Sequence, residues 1–221
     1  PMNSTILDAG CGTGEHAIRL AKRGFFVRAI DVSDTALREA QINIRTRGVE
    51  DRIQFQQEDI LSLSFPDETF KYIVCWGVLM HIPALETALR ELTRVLQPGG
   101  ILVLGENNGH SLQSLLWRVL RRFLGGKGKI TYTPAGTEFW LPTSAGPLLA
   151  RETDMQWLIE HCRSHRLVML KRIARQFTEL YIKVSSPQGK NLIHGFNNFW
   201  FKHIKIPHLA YGNLVFFQKE A

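Results

Sequence analysis

The stretch ILDAGCGTGEHAIRLAKRGFFVRAID (residues 6–31) sets three alternate glycines between a short apolar run and a helix-like segment. The glycines are Gly10, Gly12 and Gly14. A strand that leads through a glycine-rich turn into a helix brings free backbone N–H groups to the crevice of a doubly wound sheet. The stretch therefore predicts a ligand-binding loop, and the question is which ligand it holds.

Two phosphate-binding motifs match this turn poorly. A P-loop has a second glycine five residues after its first, and a lysine directly follows that second glycine. Counted from Gly10, the position of the second glycine is Glu15, and the first lysine of the chain is Lys22. A dinucleotide turn needs its third glycine where this chain has Glu15, and that carboxylate would repel a pyrophosphate. The P-loop interpretation fails and the dinucleotide interpretation is weak. A cofactor without phosphate is favoured.

The rest of the first half alternates between strand and helix signals. Strands are predicted at residues 6–8, 25–31, 53–59, 70–76 and 101–106, and helices at 15–23, 33–48 and 84–100. This alternation is typical of parallel strands joined by helical crossovers. It predicts an α/β fold with helices on both faces of a parallel sheet.

The second half is less regular. The pattern predicts a basic amphipathic helix at residues 111–129, a loop or lid at 132–150 and a capped helix at 153–165. A strand is predicted at residues 167–175 and a last strand at 211–220. Between these two strands, residues 181–207 are rich in aromatic residues and show no strong periodicity.

The motif Asp8-x-Gly10-x-Gly12-x-Gly14 resembles the first motif of class I S-adenosylmethionine-dependent methyltransferases. Further resemblances follow in the family's order: acids after strands two and three, CWGVLMHIP (residues 75–83) and LTRVLQPGGILVLGE (residues 92–106). They span about half of the chain. The resemblance implies a Rossmann-like, doubly wound sheet of seven mostly parallel strands. Its implied order is 3-2-1-4-5-7-6, with the last strand antiparallel and an insertion after strand five.

The same resemblance implies S-adenosyl-L-methionine as cofactor and S-adenosyl-L-homocysteine as product. Asp31 would accept both ribose hydroxyls, Asp59 the adenine amino group, and Val32 and Ile60 would enclose the adenine. A carboxylate has enough lone pairs to accept two O–H donors. The residues assigned to the cofactor are Asp8, Gly10, Cys11, Gly12, Gly14, Asp31, Val32, Asp59, Ile60 and Trp76.

The catalytic residue is not determined by the sequence. Methyl transfer from a sulfonium needs mainly alignment of the acceptor, and a general base only where the acceptor is protonated. Substrate-side candidates are His81, His110, Tyr132 and Trp140, which follow strands four and five or lie in the insertion. No metal site is expected.

A single methyltransferase domain is predicted over residues 1–221. Within it we expect a cofactor-binding half at residues 1–109 and a lid or substrate insertion at residues 107–153. The C-terminal part, residues 154–221, is expected to contain an insertion of its own at residues 181–208. The family normally has one or two helices before strand one, but this sequence starts only a few residues ahead of that strand. Either the sequence is a fragment or its lid is built elsewhere.

Charge is divided unequally along the chain. Residues 1–109 hold 11 Lys and Arg against 14 Asp and Glu, whereas residues 110–221 hold 16 against 6. The basic second half suggests a peripheral membrane or another anionic partner. Nucleic acid is not expected, because interleaved aromatic platforms are not evident. Three widely spaced cysteines favour a cytoplasmic location, and no apolar run approaches the ~20 residues that span a bilayer.

Methylation of a small molecule is therefore the predicted function. The alternatives left open are an RNA or protein methyltransferase that docks through the basic half, a non-catalytic S-adenosylmethionine-binding module, and a nicotinamide-dependent dehydrogenase.

Overall fold

The computed structural model describes residues 4–124, 129–143, 146–180 and 184–221. The chain divides into two compact units. The first extends to Leu104 and also contains Cys162–Leu170 and Phe216–Ala221, while the second consists of Gly105–His161 and Lys171–Val215. The units interleave along the sequence because two late segments rejoin the first unit. The division of roles at residue 109 stays a prediction.

The elements are numbered here in chain order. The strands are β1 (Thr5–Ala9), β2 (Phe26–Asp31), β3 (Ile53–Gln57), β4 (Phe70–Trp76), β5 (Leu96–Asn107), β6 (Lys129–Thr133), β7 (Gly136–Thr143), β8 (Gly146–Thr153), β9 (Leu167–Gln176) and β10 (Gly212–Lys219). The helices are α1 (Glu15–Ala21), α2 (Asp34–Arg47), α3 (Leu85–Val95), α4 (Leu112–Leu124), α5 (Met155–Ser164) and α6 (Pro187–Phe199). A 3-10 turn covers Leu79–His81, and a π-helical turn covers Trp200–Ile204.

Within the described residues, seven strands form one sheet in the order β3-β2-β1-β4-β5-β10-β9. β1 pairs in parallel with β2 and β4, and β2 pairs in parallel with β3. The last strands run antiparallel. With β9 and β10 counted as the sixth and seventh strands, this is the predicted order 3-2-1-4-5-7-6. The Rossmann-like fold class is confirmed.

Local sequence explains the elements that flank this sheet. Ser33 caps α2 by accepting a hydrogen bond from the Ala36 N–H at 3.2 Å, and Gly48 ends the helix in the left-handed region. The apolar faces of α1 and α2 pack on β2 and β3. Their buried cluster contains Cys11, Ala17, Ile18, Ala21, Val27, Ala29, Leu37, Ile44, Val49 and Ile53.

The helix predicted at residues 84–100 is shorter in the structure. α3 ends at Val95, and Leu96 already has the extended backbone of β5. Pro98 accounts for this early end, because its ring clashes with the preceding turn and it lacks an N–H for a helix. The apolar face of α3 is buried, including Leu89 and Leu92.

The loop predicted at residues 132–150 is wrong, because β6, β7 and β8 form a three-stranded antiparallel sheet in this region. A role of this segment as a lid stays a prediction. A Cβ on Gly136 would lie 2.2 Å from the Glu152 carbonyl oxygen. This close approach explains why a glycine stands at the start of β7, within a hairpin. Residues 144 and 145 of this segment lie outside the described residues.

The aromatic-rich segment at 181–207 also contains regular structure that the sequence analysis missed. Ser186 caps α6 by accepting from the Gly189 N–H, and Pro187 stands at the first helical position. Residues 181–183 lie outside the described residues. No helix among the described residues has both the length and the hydrophobicity to cross a lipid bilayer.

Candidate cofactor and substrate site

A cavity of about 460 Å³ lies in the first unit, beyond the carboxyl ends of β1, β2, β3 and β4. Its walls come from the segments that follow these four strands. Ligands of doubly wound sheets bind at this edge, where the strand order reverses. The lining residues are Gly10, Cys11, Gly12, Thr13, Glu15, His16, Ile30, Asp31, Val32, Glu58, Asp59, Ile60, Trp76, Gly77, Val78, His81 and Ile82.

The glycine loop after β1 uses its backbone donors inside the chain. The N–H groups of Gly10 and Cys11 both donate to the Ile30 carbonyl at 2.8 Å, and the Gly14 N–H donates to the Cys11 carbonyl at 2.9 Å. The expectation that this loop offers free N–H groups is wrong for these residues. A diphosphate needs such donors. The arrangement therefore suits a ligand that carries no phosphate.

Asp31 ends β2 and lines the cavity, and backbone N–H groups hold both of its carboxylate oxygens. Oδ2 accepts the Gly12 N–H at 2.8 Å, and Oδ1 accepts the Ser33 N–H at 2.9 Å. Each oxygen keeps capacity for a further donor, since a carboxylate accepts about four hydrogen bonds. Asp31 can therefore hold two neighbouring hydroxyl groups in a fixed orientation.

Close backbone approach explains two of the three glycines. A Cβ on Gly10 would lie 2.3 Å from Cγ2 of Val78, and Gly10 has a φ of 77°. A Cβ on Gly14 would lie 3.2 Å from the Ala40 Cβ, at a φ of 84°. Only glycine adopts such backbone conformations without strain. Gly10 thus lets the loop approach the segment after β4, and Gly14 lets it approach α2.

Asp8 and Cys11 are buried near the loop. Burial raises the pKa of Asp8 to about 7; the Ala17 N–H opposes this shift and the charge of Asp31 adds to it. Oδ2 of Asp8 has no hydrogen-bond partner among the described residues. Burial, with the nearby Asp8 and Asp31, also raises the pKa of the Cys11 thiol well above its usual range. Cys11 is therefore an unreactive thiol at neutral pH.

The segment after β3 is held in place by α3. Arg94 binds both Glu91 oxygens at 2.8 and 2.9 Å, and it donates to Asp67 and to the carbonyls of Leu63 and Phe65 at 2.8–2.9 Å. Hydrogen bonding to Arg94 lowers the pKa of Glu91. This network fixes the loop that follows Asp59 and Ile60 in the cavity wall.

The segment after β4 forms the remaining wall. Trp76 stacks on His16, with ring centroids 4.1 Å apart and planes 25° apart. His81 lies in the 3-10 turn that follows and also lines the cavity. Trp76 and His81 were both expected near the ligand. His16 was missed, although its place in the first turn of α1 after Gly14 is the signal that could have indicated it.

The structure brings eight of the ten predicted cofactor residues to the cavity wall. Asp8 and Gly14 are buried behind the lining. Asp8 and Gly14 instead stabilise the conformation of the glycine loop. Further lining residues that the sequence analysis did not assign are Thr13, Glu15, His16, Ile30, Glu58, Gly77, Val78 and Ile82.

The other substrate-side candidates belong to the second unit. His110 and Tyr132 line a small cavity of about 190 Å³ there, and Nδ1 of His110 lies 3.8 Å from the Asp154 carboxylate. Trp140 lies on β7, where its backbone is opposite Leu149. Their contact with a substrate stays a prediction.

Comparison with known proteins agrees with this architecture. Residues 6–100 match the family model described as a methyltransferase domain. The chain is 36% identical over 102 residues to the methyltransferase GfsG of Streptomyces halstedii, and 36% identical over 102 residues to the 27-O-demethylrifamycin SV methyltransferase of Amycolatopsis mediterranei. Each match covers 46% of this chain. The matched region spans only 37% and 38% of those relatives.

A similar fold occurs in a crystal structure of an S-adenosylmethionine-dependent methyltransferase from Methanosarcina mazei. The TM-score is 0.69 at 21% identity, over 100% of this chain and 94% of that one. The fold belongs to the doubly wound α/β class and has a cavity at the carboxyl edge of its sheet. The match of residues 6–100 to a methyltransferase domain agrees with the resemblance that the sequence motifs indicated.

Proposed function

We propose that this protein transfers a methyl group from S-adenosylmethionine to a small-molecule acceptor. The observation that carries this proposal is the loop in which four N–H groups, those of Gly10, Cys11, Gly12 and Gly14, are bonded within the chain, beside an acid with spare acceptor capacity. Together these groups fit a nucleoside without phosphate. The four bonded N–H groups are not available to a diphosphate, which weighs against the dehydrogenase alternative.

In this proposal, Asp31 accepts the two ribose hydroxyls, and Asp59 accepts the adenine amino group. Val32 and Ile60 enclose the base between apolar side chains. Trp76 and the glycine loop contact the amino-acid end. When bound, the cofactor supplies a methyl carbon on a positively charged sulfur.

The protein's main contribution to the reaction is then alignment. Residues beside the cavity must bring the acceptor atom to roughly 3–3.5 Å from the methyl carbon and exclude water. His81 is the substrate-side candidate that lines the cavity, and we propose that it contacts the acceptor. A general base is required only if the acceptor atom carries a proton at neutral pH.

Isothermal titration with S-adenosylhomocysteine tests the cofactor site directly. Asp31→Ala removes the acceptor of both hydroxyl groups and should weaken binding at least about a hundredfold, because hydrogen bonds to a charged group contribute roughly 1.5–3 kcal/mol each. Asp34→Ala is the matched control, since Asp34 is an exposed acid in the first turn of α2. Equal affinity of wild type and Asp31→Ala would contradict the assignment.

The small-molecule class of acceptor is supported by the name of the rifamycin-modifying relative. We propose the same broad class, without a particular acceptor, for this chain. RNA binding with a steep salt dependence would favour the nucleic-acid alternative instead. We also propose a cytoplasmic location, supported by three buried cysteines without disulfides.

A further inference from the structure

An apolar groove of about 710 Å³ lies between α4 and α6 in the second unit. Apart from an amide and a hydroxyl, its lining consists of aliphatic and aromatic side chains. The lining residues are Leu112, Gln113, Leu116, Trp117, Leu120, Phe177, Thr178, Leu180, Leu192, Ile193 and Phe196. The proposed methyl transfer assigns no role to it.

The polar groups at the groove floor are bonded within the protein. The Gln113 Oε1 of α4 accepts the Thr178 hydroxyl and the Glu179 N–H. The Asn197 Oδ1 of α6 accepts the N–H groups of Phe177 and Thr178 at 3.0 Å, and its Nδ2 donates to the Thr178 carbonyl at 2.9 Å. Both helices are thereby tied to one floor segment. The groove is preformed and offers an apolar interior.

The two helices that line the groove also expose large apolar side chains to solvent. On α4, Leu116 and Val119 are exposed and Phe123 is 80% exposed, at a spacing that puts them on one helical face. On α6, Leu192 is 76% exposed and Phe199 is also exposed. Contiguous apolar surface of this kind marks an interaction site.

The same two segments contain basic residues and no acidic ones. No Asp or Glu occurs between Glu106 and Glu138, or between Glu179 and Glu220, whereas residues 107–137 and 180–210 hold five and four Lys or Arg respectively. Among the described residues, exposed cations here include Arg118, Lys190 and Lys202. This face is therefore complementary to a surface that is both apolar and negatively charged.

We propose that the face formed by α4, α6 and the π-helical turn docks on a lipid bilayer that contains anionic phospholipid, with an acyl chain entering the groove. Amphipathic helices with apolar and cationic sides bind bilayers in this way. A bilayer provides both required features, since its interior is apolar and its anionic headgroups attract Lys and Arg. This docking does not depend on the proposed methyl transfer.

Vesicle co-sedimentation tests the docking. Wild type should bind vesicles of phosphatidylcholine with phosphatidylglycerol, and binding to phosphatidylcholine alone should be weak. Phe123→Glu with Leu192→Glu should abolish the binding, because both side chains enter the apolar layer. Ile42→Glu is the matched control, since Ile42 is exposed on α2 of the first unit and should have no effect. Absence of wild-type binding, or loss in the control, would overturn the proposal.

The charge contribution is tested separately. Lys190→Ala with Lys202→Ala should reduce affinity about 30-fold, since each cation near an anionic leaflet contributes a factor of about five. Added salt should weaken wild-type binding in the same direction. Equal binding to neutral and anionic vesicles would contradict the proposed partner.

Entry of an acyl chain into the groove has its own readout. Phosphatidylglycerol with brominated acyl chains should quench tryptophan fluorescence, and Trp117→Phe should remove part of that quenching because Trp117 lines the groove. Light scattering measures the oligomeric state and so tests whether a second copy of the chain occupies this face. If wild type is a dimer and the Phe123→Glu/Leu192→Glu variant is a monomer, this face is a dimer interface and the proposal is overturned. S-adenosylhomocysteine titration of the same variants keeps this result separate from the cofactor site.

Discussion

The two units differ in how they place apolar and charged side chains. In the first unit, the apolar face of α3 is buried, and Arg94 is matched by Glu91 and Asp67. In the second unit, α4 and α6 expose apolar faces, and long stretches of basic sequence contain no acid. The first arrangement fixes a cavity of defined shape, whereas the second leaves a surface suited to binding. Substitutions should therefore affect the two units very differently.

The largest effect is expected from the buried acid of the first unit. Because the folded pKa of Asp8 is about 7 and the unfolded value is 3.8, the folded state binds more protons between these values. The contribution of Asp8 to the free energy of unfolding should fall by about 3 kcal/mol as pH rises from near 4 to 7. Asp8→Asn should remove this dependence, measured by urea unfolding at several pH values. Asp34→Asn is the control, and an unchanged profile in Asp8→Asn would contradict the interpretation.

A matched pair of leucines compares the units directly. Leu92 is fully buried in α3, whereas Leu192 is largely exposed on α6. Leu92→Ala should lower the free energy of unfolding by about 2–5 kcal/mol because it leaves a cavity. Leu192→Ala should change it by less than about 0.5 kcal/mol. Similar unfolding midpoints for both variants would show that the contrast between the units is not real.

Arg94 tests whether the loop after β3 depends on α3. Arg94→Met should cost about 2 kcal/mol, because Glu91 and two backbone carbonyls lose their donor. Arg38→Met is the control: its ion pair with Asp34 is exposed and should contribute at most about 0.5 kcal/mol. Thermal unfolding measures both. Affinity for S-adenosylhomocysteine should also fall in Arg94→Met, because Asp59 and Ile60 precede the loop that Arg94 holds.

The smallest effect concerns the glycine loop itself. Gly10→Ala should weaken S-adenosylhomocysteine binding about tenfold, or 1.4 kcal/mol, because the new Cβ displaces Val78 in the cavity wall. Adding Val78→Ala should restore part of the affinity by relieving this contact. Gly195→Ala in α6 has open space around it and should bind as wild type does. A Gly10→Ala protein with wild-type affinity would mean that the loop tolerates a side chain there.

The first unit was readable from sequence because its signals are local. The glycine turn, the cap at Ser33, the acid at Asp31 and the strand–helix alternation each follow from neighbouring residues. Periodicity alone gave the α/β class, while the strand order came from the family resemblance. Eight of the predicted cofactor residues line the cavity because they lie at or just after the ends of β1 to β4. The carboxyl ends of parallel strands lie at the same edge of a sheet.

The remaining features depend on contacts between distant residues. The bonding of the Gly10 and Cys11 N–H groups to Ile30 requires knowledge of how β1 lies beside β2. The hairpins of β6, β7 and β8 were missed because the Pro, Gly and Thr content of residues 132–150 was interpreted as a loop signal. Gly136, one of these residues, is instead required by the close approach of the Glu152 backbone. The apolar groove arises only when Gln113 and Asn197 meet residues 177–179, about 20 to 66 positions away.

The N–H groups of Gly10 and Cys11 both donate to the Ile30 carbonyl, and this bonding limits how the cofactor preference of the loop could be changed. Nicotinamide dinucleotides are recognised largely through main-chain amides, and those of Gly10 and Cys11 are already committed to the neighbouring strand. Replacing Glu15 with glycine would restore a familiar fingerprint in the printed sequence but would leave those amides engaged. Exchange of the side chain at residue 15 alone would thus leave these two amides unavailable to a diphosphate.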